Sequence, residues 1–294
     1  YDNNKRTIMS YINAWLENGA LKTMLKSENR GTNINNLNQE ILKKLEIYVP
    51  TIREQEKVLS VLACYNHMML KLENLIEKKM QQKSGLCQML LTGKRRLPGF
   101  NDKWNICKLS DVLNERKKYS EKDGKYELVT LSKEGIIPKT NRYDREHLVK
   151  AKDKEYKVTY KDDICYNPAN LKFGVICRNT YGNAIFSPTY VTFEVKKKCN
   201  IDYMSQLLTR NEFIRKIRRY EEGTVYERMA VKSEDFLSYE VVLPSYEEQC
   251  AIAKILELAD KEICLLKERL QYIKQEKKAI LNLLLKGIVR VDIV

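Results

Sequence analysis

Val49-Pro50-Thr51-Ile52-Arg53-Glu54-Gln55 returns 194 residues later as Leu243-Pro244-Ser245-Tyr246-Glu247-Glu248-Gln249. At the same offset, Leu90-Leu91-Thr92-Gly93-Lys94-Arg95-Arg96 returns as Leu284-Leu285-Lys286-Gly287-Ile288-Val289-Arg290. A fixed internal period describes architecture before any single residue does. This one is too long for a solenoid, so what repeats is one element with a whole domain between its copies. Thr51 with Glu54, and Ser245 with Glu248, have the Ser/Thr-x-x-Glu spacing of a capping box, which marks a helix start. Gly93 and Gly287 suit the left-handed position at which a helix stops. Roughly 40 residues lie between start and stop, a rod of about 60 Å at about 1.5 Å per residue.

Apolar residues recur along both rods in alternating steps of four and three. They are Val58, Leu62, Tyr65, Met69, Leu72 and Ile76 in the first, and Ile252, Leu256, Ala259, Ile263, Leu266, Leu270 and Ile273 in the second. A rod with one apolar seam needs a partner, and the two copies are the obvious pair. Lys83 and Lys277 occupy the same seam position, so a parallel pairing would oppose two ammonium groups and an antiparallel one would separate them. An antiparallel coiled coil is expected; the alternative is that each stripe packs on its own globular domain.

With 294 residues the chain can hold two domains with real cores. Neither a run of 18 apolar residues nor a signal-peptide pattern points to a membrane or to export, and the chain reads as cytoplasmic. Cys64, Cys87, Cys107, Cys165, Cys177, Cys199, Cys250 and Cys264 are scattered without a Cys-x-x-Cys, and only His67 and His147 could join them, so reduced thiols are expected and no metal cluster. The net charge of +14, from 53 Lys plus Arg against 39 Asp plus Glu, favours a polyanionic partner, nucleic acid first.

The segment between the rods has a different character. Short strand-like runs at 126–131, 156–160, 174–177 and 190–195 are punctuated by Asn, Gly and Pro, which predicts a mixed α+β domain. Residues 203–220 return to helical periodicity, with Arg215, Lys216, Arg218 and Arg219 in a basic run. The start of the chain matches this later part at an offset of 192, Tyr11 with Tyr203, Leu16 with Leu208, and Gly31-Thr32 with Gly223-Thr224. The expected organisation is the end of a first globular module over 1–50, a spacer helix over 51–96, a complete second module over 97–244 and a second spacer helix over 245–294. The counterpart of roughly the first hundred residues of the second module is missing from the first.

This arrangement resembles the specificity subunits of type I restriction-modification systems, and the resemblance covers the whole chain. It rests on the Pro-x-x-x-Glu-Gln openings, the Leu-Leu-x-Gly-x-x-Arg closings, and Leu97-Pro98-Gly99-Phe100 to Trp104 leading into Leu109-Ser110-Asp111-Val112. Ile164-Cys165-Tyr166-Asn167, Gly182, Ser187-Pro188-Thr189-Tyr190 and residues 223–228 are similar to the family's target-recognition domain. The resemblance implies that each recognition domain reads one half of a split site in double-stranded DNA and that the helices fix the gap. It also implies that DNA methyltransferase subunits and restriction/translocase subunits supply the chemistry. S-adenosylmethionine, ATP and Mg²⁺ would belong to those partners, this chain would need no cofactor, and self-association stays open.

Base edges are read by forked polar groups, Arg for guanine and Asn or Gln for adenine, while Lys, Ser, Thr and Tyr commonly hold phosphates. The candidates for base contact are therefore the turn residues Asn141, Arg142, Asn167, Asn170, Arg178 and Asn179. The candidates for phosphate contact are Lys117, Lys118, Lys139, Lys172, Arg218, Arg219, Thr224, Tyr226 and Arg228. Asparagine in a turn commonly serves the backbone instead, and a surface lysine is commonly only solvated. Phe100 and Trp104 read as packing area.

Two other classes compete. An enzyme is disfavoured: Tyr166-Asn167-Pro168-Ala169-Asn170 resembles the Asn-Pro-Pro-aromatic motif of amino-methyltransferases, but Ala169 and Asn170 replace its last two residues. No Gly-rich loop follows a strand, and Asp162-Asp163 with Glu194-Val195-Lys196 is a weak nuclease match. The remaining alternative is a coiled-coil interaction or scaffold protein that does not read DNA sequence.

Overall fold

The computed structural model describes residues 8–17, 47–121, 124–133, 135–139, 155–221 and 230–291. In chain order these form α1 (Met9–Glu17), α2 (Ile52–Leu90), β1 (Asn105–Lys108), α3 (Leu109–Val112), β2 (Leu113–Glu115), β3 (Tyr119–Ser120), β4 (Glu127–Ser132) and β5 (Gly135–Pro138). They continue through β6 (Tyr156–Thr159), β7 (Ile164–Tyr166), β8 (Ile176–Arg178), β9 (Ala184–Phe186), β10 (Val191–Val195), α4 (Ile201–Thr209), α5 (Asn211–Ile217), α6 (Ser233–Ser238), β11 (Glu240–Leu243) and α7 (Tyr246–Leu285). The long helices α2 and α7 have 39 and 40 residues. Two compact units form, Tyr1–Gln81 with Lys261–Val294, and Gln82–Asp260.

In the first unit α2 begins in a closed capping box. The Thr51 amide donates to Glu54 Oε2 at 3.2 Å and the Glu54 amide to Thr51 Oγ1 at 3.4 Å. The α2 and α7 segments of this unit run antiparallel. Asn66 accepts from Lys277 at 2.8 Å, Glu73 pairs with Lys274 at 3.0 Å, and Lys79 with Glu262 at 2.6 Å, so partners descend α7 as numbers rise along α2. Such exposed pairs contribute little; the stabilisation comes from the seam, where Val58, Ile76, Ile263 and Ile273 are buried. Leu62, Met69, Leu72, Leu266 and Leu270 are half-buried in the same stripe, and burying such a side chain contributes about 1.5–3 kcal/mol. At one end of the pair, Tyr11 and Trp15 of α1 pack with Val58, Leu281, Leu284 and Leu285.

In the second unit the pairing keeps its sense, with Lys83 Nζ on Asp260 at 2.6 Å, and Ile252 and Leu256 lie in the core. Here Glu248 departs from the expected box. Its amide still donates to Ser245 Oγ at 3.4 Å, but its carboxylate turns away from the helix start. It accepts from Arg96 Nε at 2.7 Å, Arg96 Nη2 at 2.8 Å and Trp104 Nε1 at 3.0 Å. The closing arginine of α2 thus holds the opening glutamate of α7. The first unit contains the same contact from the other copies, with Arg290 Nε on Glu54 Oε1 at 2.8 Å. Hydrogen bonding from Arg290 is the main cause that holds the Glu54 carboxyl below its ordinary value.

The opening glutamines have a parallel duty. Gln55 Nε2 donates to the Pro50 carbonyl at 2.8 Å while its Oε1 accepts from the Ile8 amide just ahead of α1. Gln249 Nε2 donates to the Pro244 carbonyl at 3.0 Å while its Oε1 accepts from the Asn200 amide just ahead of α4. Ile8 and Asn200 are 192 residues apart, the offset that relates the modules rather than the helices. Gly93 and Gly287 stop the helices at φ +70° and +67°. At Gly287 a Cβ would meet the Tyr48 ring at 2.8 Å, so that glycine also serves close packing, whereas at Gly93 a Cβ would make only an ordinary contact with the Trp104 ring at 3.4 Å.

The β structure belongs to the second unit. A ribbon pairs β1 with β11, a four-stranded sheet has the order β2-β10-β7-β8, and a five-stranded sheet has the order β3-β6-β9-β4-β5. Every pairing is antiparallel except β4 with β9. Tyr166, Phe193 and Phe236 stack at 4.9–5.9 Å, and Phe213 closes on Phe236 edge-on. The Tyr166 hydroxyl donates to the Val231 carbonyl at 3.0 Å, and burial pushes its phenol far above the ordinary value. The mixed α+β fold with antiparallel long helices is the one expected; β1, β2, β3, β5, β7, β9 and β11 add to the anticipated strands and are two to four residues long.

Replacing Glu248 by Gln should lower stability by about 2–3 kcal/mol, because the partners of a buried carboxylate are left with a poorer acceptor. Glu54→Gln should cost less, since Arg290 stays 65% exposed. The Glu54 contribution is complete above the ordinary carboxylate value and fades as pH falls through the depressed one. Urea titrations at two pH values check both, and equal, negligible losses would contradict the assignment.

Candidate nucleic-acid interface

Loops between the short strands carry the polar residues that the sequence singles out. The first is a 3₁₀ helix, Pro168–Phe173, between β7 and β8. Asn167 starts it, its Oδ1 accepting from the Ala169 amide at 3.1 Å, and Gly174 ends it at φ +82°. Leu171 is fully buried beneath it, while Asn170, Lys172 and Phe173 face solvent. Lys172 Nζ lies 5.2 Å from the centre of the Phe173 ring, and Lys133 Nζ, from the turn after β4, lies 5.9 Å from it. Two unrelated loops therefore meet at one exposed ring.

A second basic group surrounds Tyr160. The Arg116 guanidinium lies 4.7 Å from the centre of that ring and pairs with Asp163 at 3.0 Å. Lys118 Nζ donates to the Tyr160 hydroxyl at 2.8 Å, which is the main cause that lowers the phenol's pKa. Burial raises the Asp163 carboxyl despite Arg116 beside it. Lys157, buried, reaches Glu115 and the Tyr119 hydroxyl, each at 3.4 Å. Lys117 is 68% exposed with only a loose contact to Glu115 at 3.6 Å.

Two of the expected base contacts have internal partners in this geometry. Asn179 is fully buried; it donates to Thr159 Oγ1, the Tyr160 carbonyl and the Gly182 carbonyl, and accepts from the Tyr181 and Gly182 amides. Its fork is spent on the loop. Arg178 is spent likewise, on Asp162 at 2.7 Å and on Asp202. Asp162 has φ +73°, a conformation that Asp tolerates better than most residues. Asn167 serves the backbone, which leaves Asn170 as the base-contact candidate with an exposed side chain and no local duty among the described residues. Among the phosphate candidates, Lys139 donates its amide to the Leu128 carbonyl at 3.0 Å. Arg218 bonds Glu221 at 3.3 Å, and Arg219 is exposed. Asn141, Arg142, Thr224, Tyr226 and Arg228 lie outside the described residues. Sequence reading missed Lys133, Phe173, Arg116 and Tyr160; the adjacent Lys172-Phe173 was the available signal, whereas the approach of Lys133 is tertiary.

A family model described as "Type I restriction modification DNA specificity domain" matches residues 2–82 and 101–275. The chain belongs to that family. Its members are non-catalytic. The chain is 24% identical over 297 residues to the type I restriction enzyme MjaVIII specificity subunit of Methanocaldococcus jannaschii, an alignment covering 92% of this chain and 68% of that protein. It spans 68% and 63% of the length of two curated relatives that it matches. Its fold is similar to that of the S subunit of a type I restriction-modification system from M. genitalium, with a TM-score of 0.55, 15% identity and coverage of 98% of this chain and 74% of that one. A chain solved to describe assembly and conformational transition of the type I R-M system gives a TM-score of 0.58 at 14% identity, covering 95% of this chain and 71% of that one. Among the described residues no helix is long and apolar enough to cross a membrane.

Asn179→Ala should cost on the order of 3 kcal/mol, because several loop donors and acceptors lose their partner at once. Asn170→Ala should stay within about 0.5 kcal/mol of the parent. Urea unfolding of the two variants measures the contrast, and the reverse order would restore Asn179 as an outward-facing reader.

Proposed function

We propose that this chain is the DNA-reading subunit of a type I restriction-modification complex in the cytoplasm of a prokaryote. Residues 97–244 act as a complete target-recognition domain and 1–50 as the end of another, with the helices of 51–96 and 245–294 setting the gap between half-sites. Methylation and cleavage subunits supply the chemistry together with S-adenosylmethionine, ATP and Mg²⁺. The observation that carries this reading is the family match, which takes in most of each long helix and nearly all of the domain between them. The exposed lysines around Phe173 and Tyr160 support it, since cations carried on loops of a chain with a net charge of +14 suit phosphates. Lys117, Lys118, Lys133, Lys172 and Arg219 are the phosphate contacts favoured by exposure, and Asn170 the base contact.

Binding to duplex DNA should weaken steeply with salt, and Lys133→Met and Lys172→Met should each flatten the slope of log K against log salt by about 0.9. Both substitutions should weaken binding to all sequences alike. Affinity that does not change across the salt titration would contradict the proposal.

A further inference from the structure

Of the six phenylalanines only Phe173 is largely exposed, at 56%. Mobility does not explain it. The 3₁₀ helix that carries it is held by the Asn167 cap, by buried Leu171, by the Gly174 amide on the Leu171 carbonyl at 2.8 Å and by the Val231 amide on the Pro168 carbonyl at 3.4 Å. The ring is thus offered to solvent from a fixed support. Lys133 and Lys172 flank it, and neither ammonium has an ion pair among the described residues.

Side chains three residues apart eclipse one another in a 3₁₀ helix. Asn170 and Phe173 therefore share a face, and both are exposed. A carboxamide and an apolar ring on one edge match what one kind of base pair displays in the major groove. Adenine offers N6 and N7 to an Asn fork, and thymine offers a methyl group to an apolar side chain. The rise from Asn170 to Phe173 is about 6 Å at about 2 Å per residue. Stacked bases are about 3.4 Å apart, so the ring lies within two base pairs of the adenine.

Resting on the reading that the chain binds duplex DNA, we propose that Asn170 and Phe173 form a composite reader of adenine and a neighbouring thymine in the major groove. Asn170 bonds the adenine edge, Phe173 covers the thymine methyl, and Lys133 and Lys172 hold the phosphates on either side. A protein partner on the same ring would have to bring carboxylates to both lysines, whereas a DNA backbone brings phosphates on both sides of the base that the ring touches.

The test uses the full chain and a pool of 30-base-pair duplexes with randomised centres. Sequences recovered by the parent chain should contain an adenine with a thymine within two base pairs. Replacing that thymine by deoxyuridine, which removes only the methyl group, should weaken binding about fivefold. Phe173→Ala should bind the thymine and uracil forms equally, and Phe173→Leu should keep the preference for thymine. Asn170→Ala should lose about tenfold in affinity for the recovered duplex and relax the adenine position. Both residues are exposed, so urea midpoints should match the parent's. Recovered duplexes that lack such a thymine, that are indifferent to uracil, or that keep their thymine preference in Phe173→Ala would overturn the composite reader while leaving DNA binding intact. If the parent chain recovers no duplex at all, the DNA-reading function fails with it.

Discussion

A buried glutamate at the start of each long helix, held by the arginine that follows the other helix, is the contact on which the structure depends. Glu248 is 1% exposed, and carrying a carboxylate out of water is costly unless its oxygens are satisfied. Arg96 and Trp104 satisfy both oxygens, which fixes where α2 must stop, where α7 must begin and how the chain enters β1. Glu54 and Arg290 impose the same condition on the other ends of the helices. Apolar burial along the seam supplies stabilisation without direction or register. The ion pairs supply both, since an antiparallel alignment is the one that brings each opening to the other helix's closing.

The opening motif has three polar duties in six residues. Proline contributes a carbonyl, glutamate takes the arginine, and glutamine carries the restraint onward by bonding both that carbonyl and the amide that starts a module helix. The candidate recognition surface is arranged in the opposite way. Polar groups with a structural duty, Asn179 and Arg178 above all, are buried or paired. Asn170, whose side chain has no hydrogen bond among the described residues, and Lys172, which has no ion pair among them, stand on a short helix. Loops supported in this manner can change the side chains they display without disturbing the sheets beneath.

Most of the helical framework was legible in the sequence because its signals are local or periodic. The caps, the seam and the stop glycines each follow from residues a few positions apart, and the duplication supplies them twice. The use of Glu248 was not legible, since a capping box and an inter-helix ion pair need the same residue and only packing decides between them. The short strands escaped for a different reason: two to four residues are too few to show alternation. The candidate interface was half legible. Exposed lysines can be named from composition, yet whether an Asn or Arg faces DNA or its own loop depends on contacts such as Asn179 with Thr159 that no spacing predicts.

The account stands most directly on one double-mutant cycle, Arg96→Met, Glu248→Met and both together, read by urea unfolding. It predicts that the double variant is clearly more stable than the summed losses imply, because the second substitution removes a charge that the first had stranded. Additivity within about 0.3–0.5 kcal/mol would mean that the two residues act independently, and that the repeated motifs are conserved between the two halves of this chain for a reason other than joining its helices.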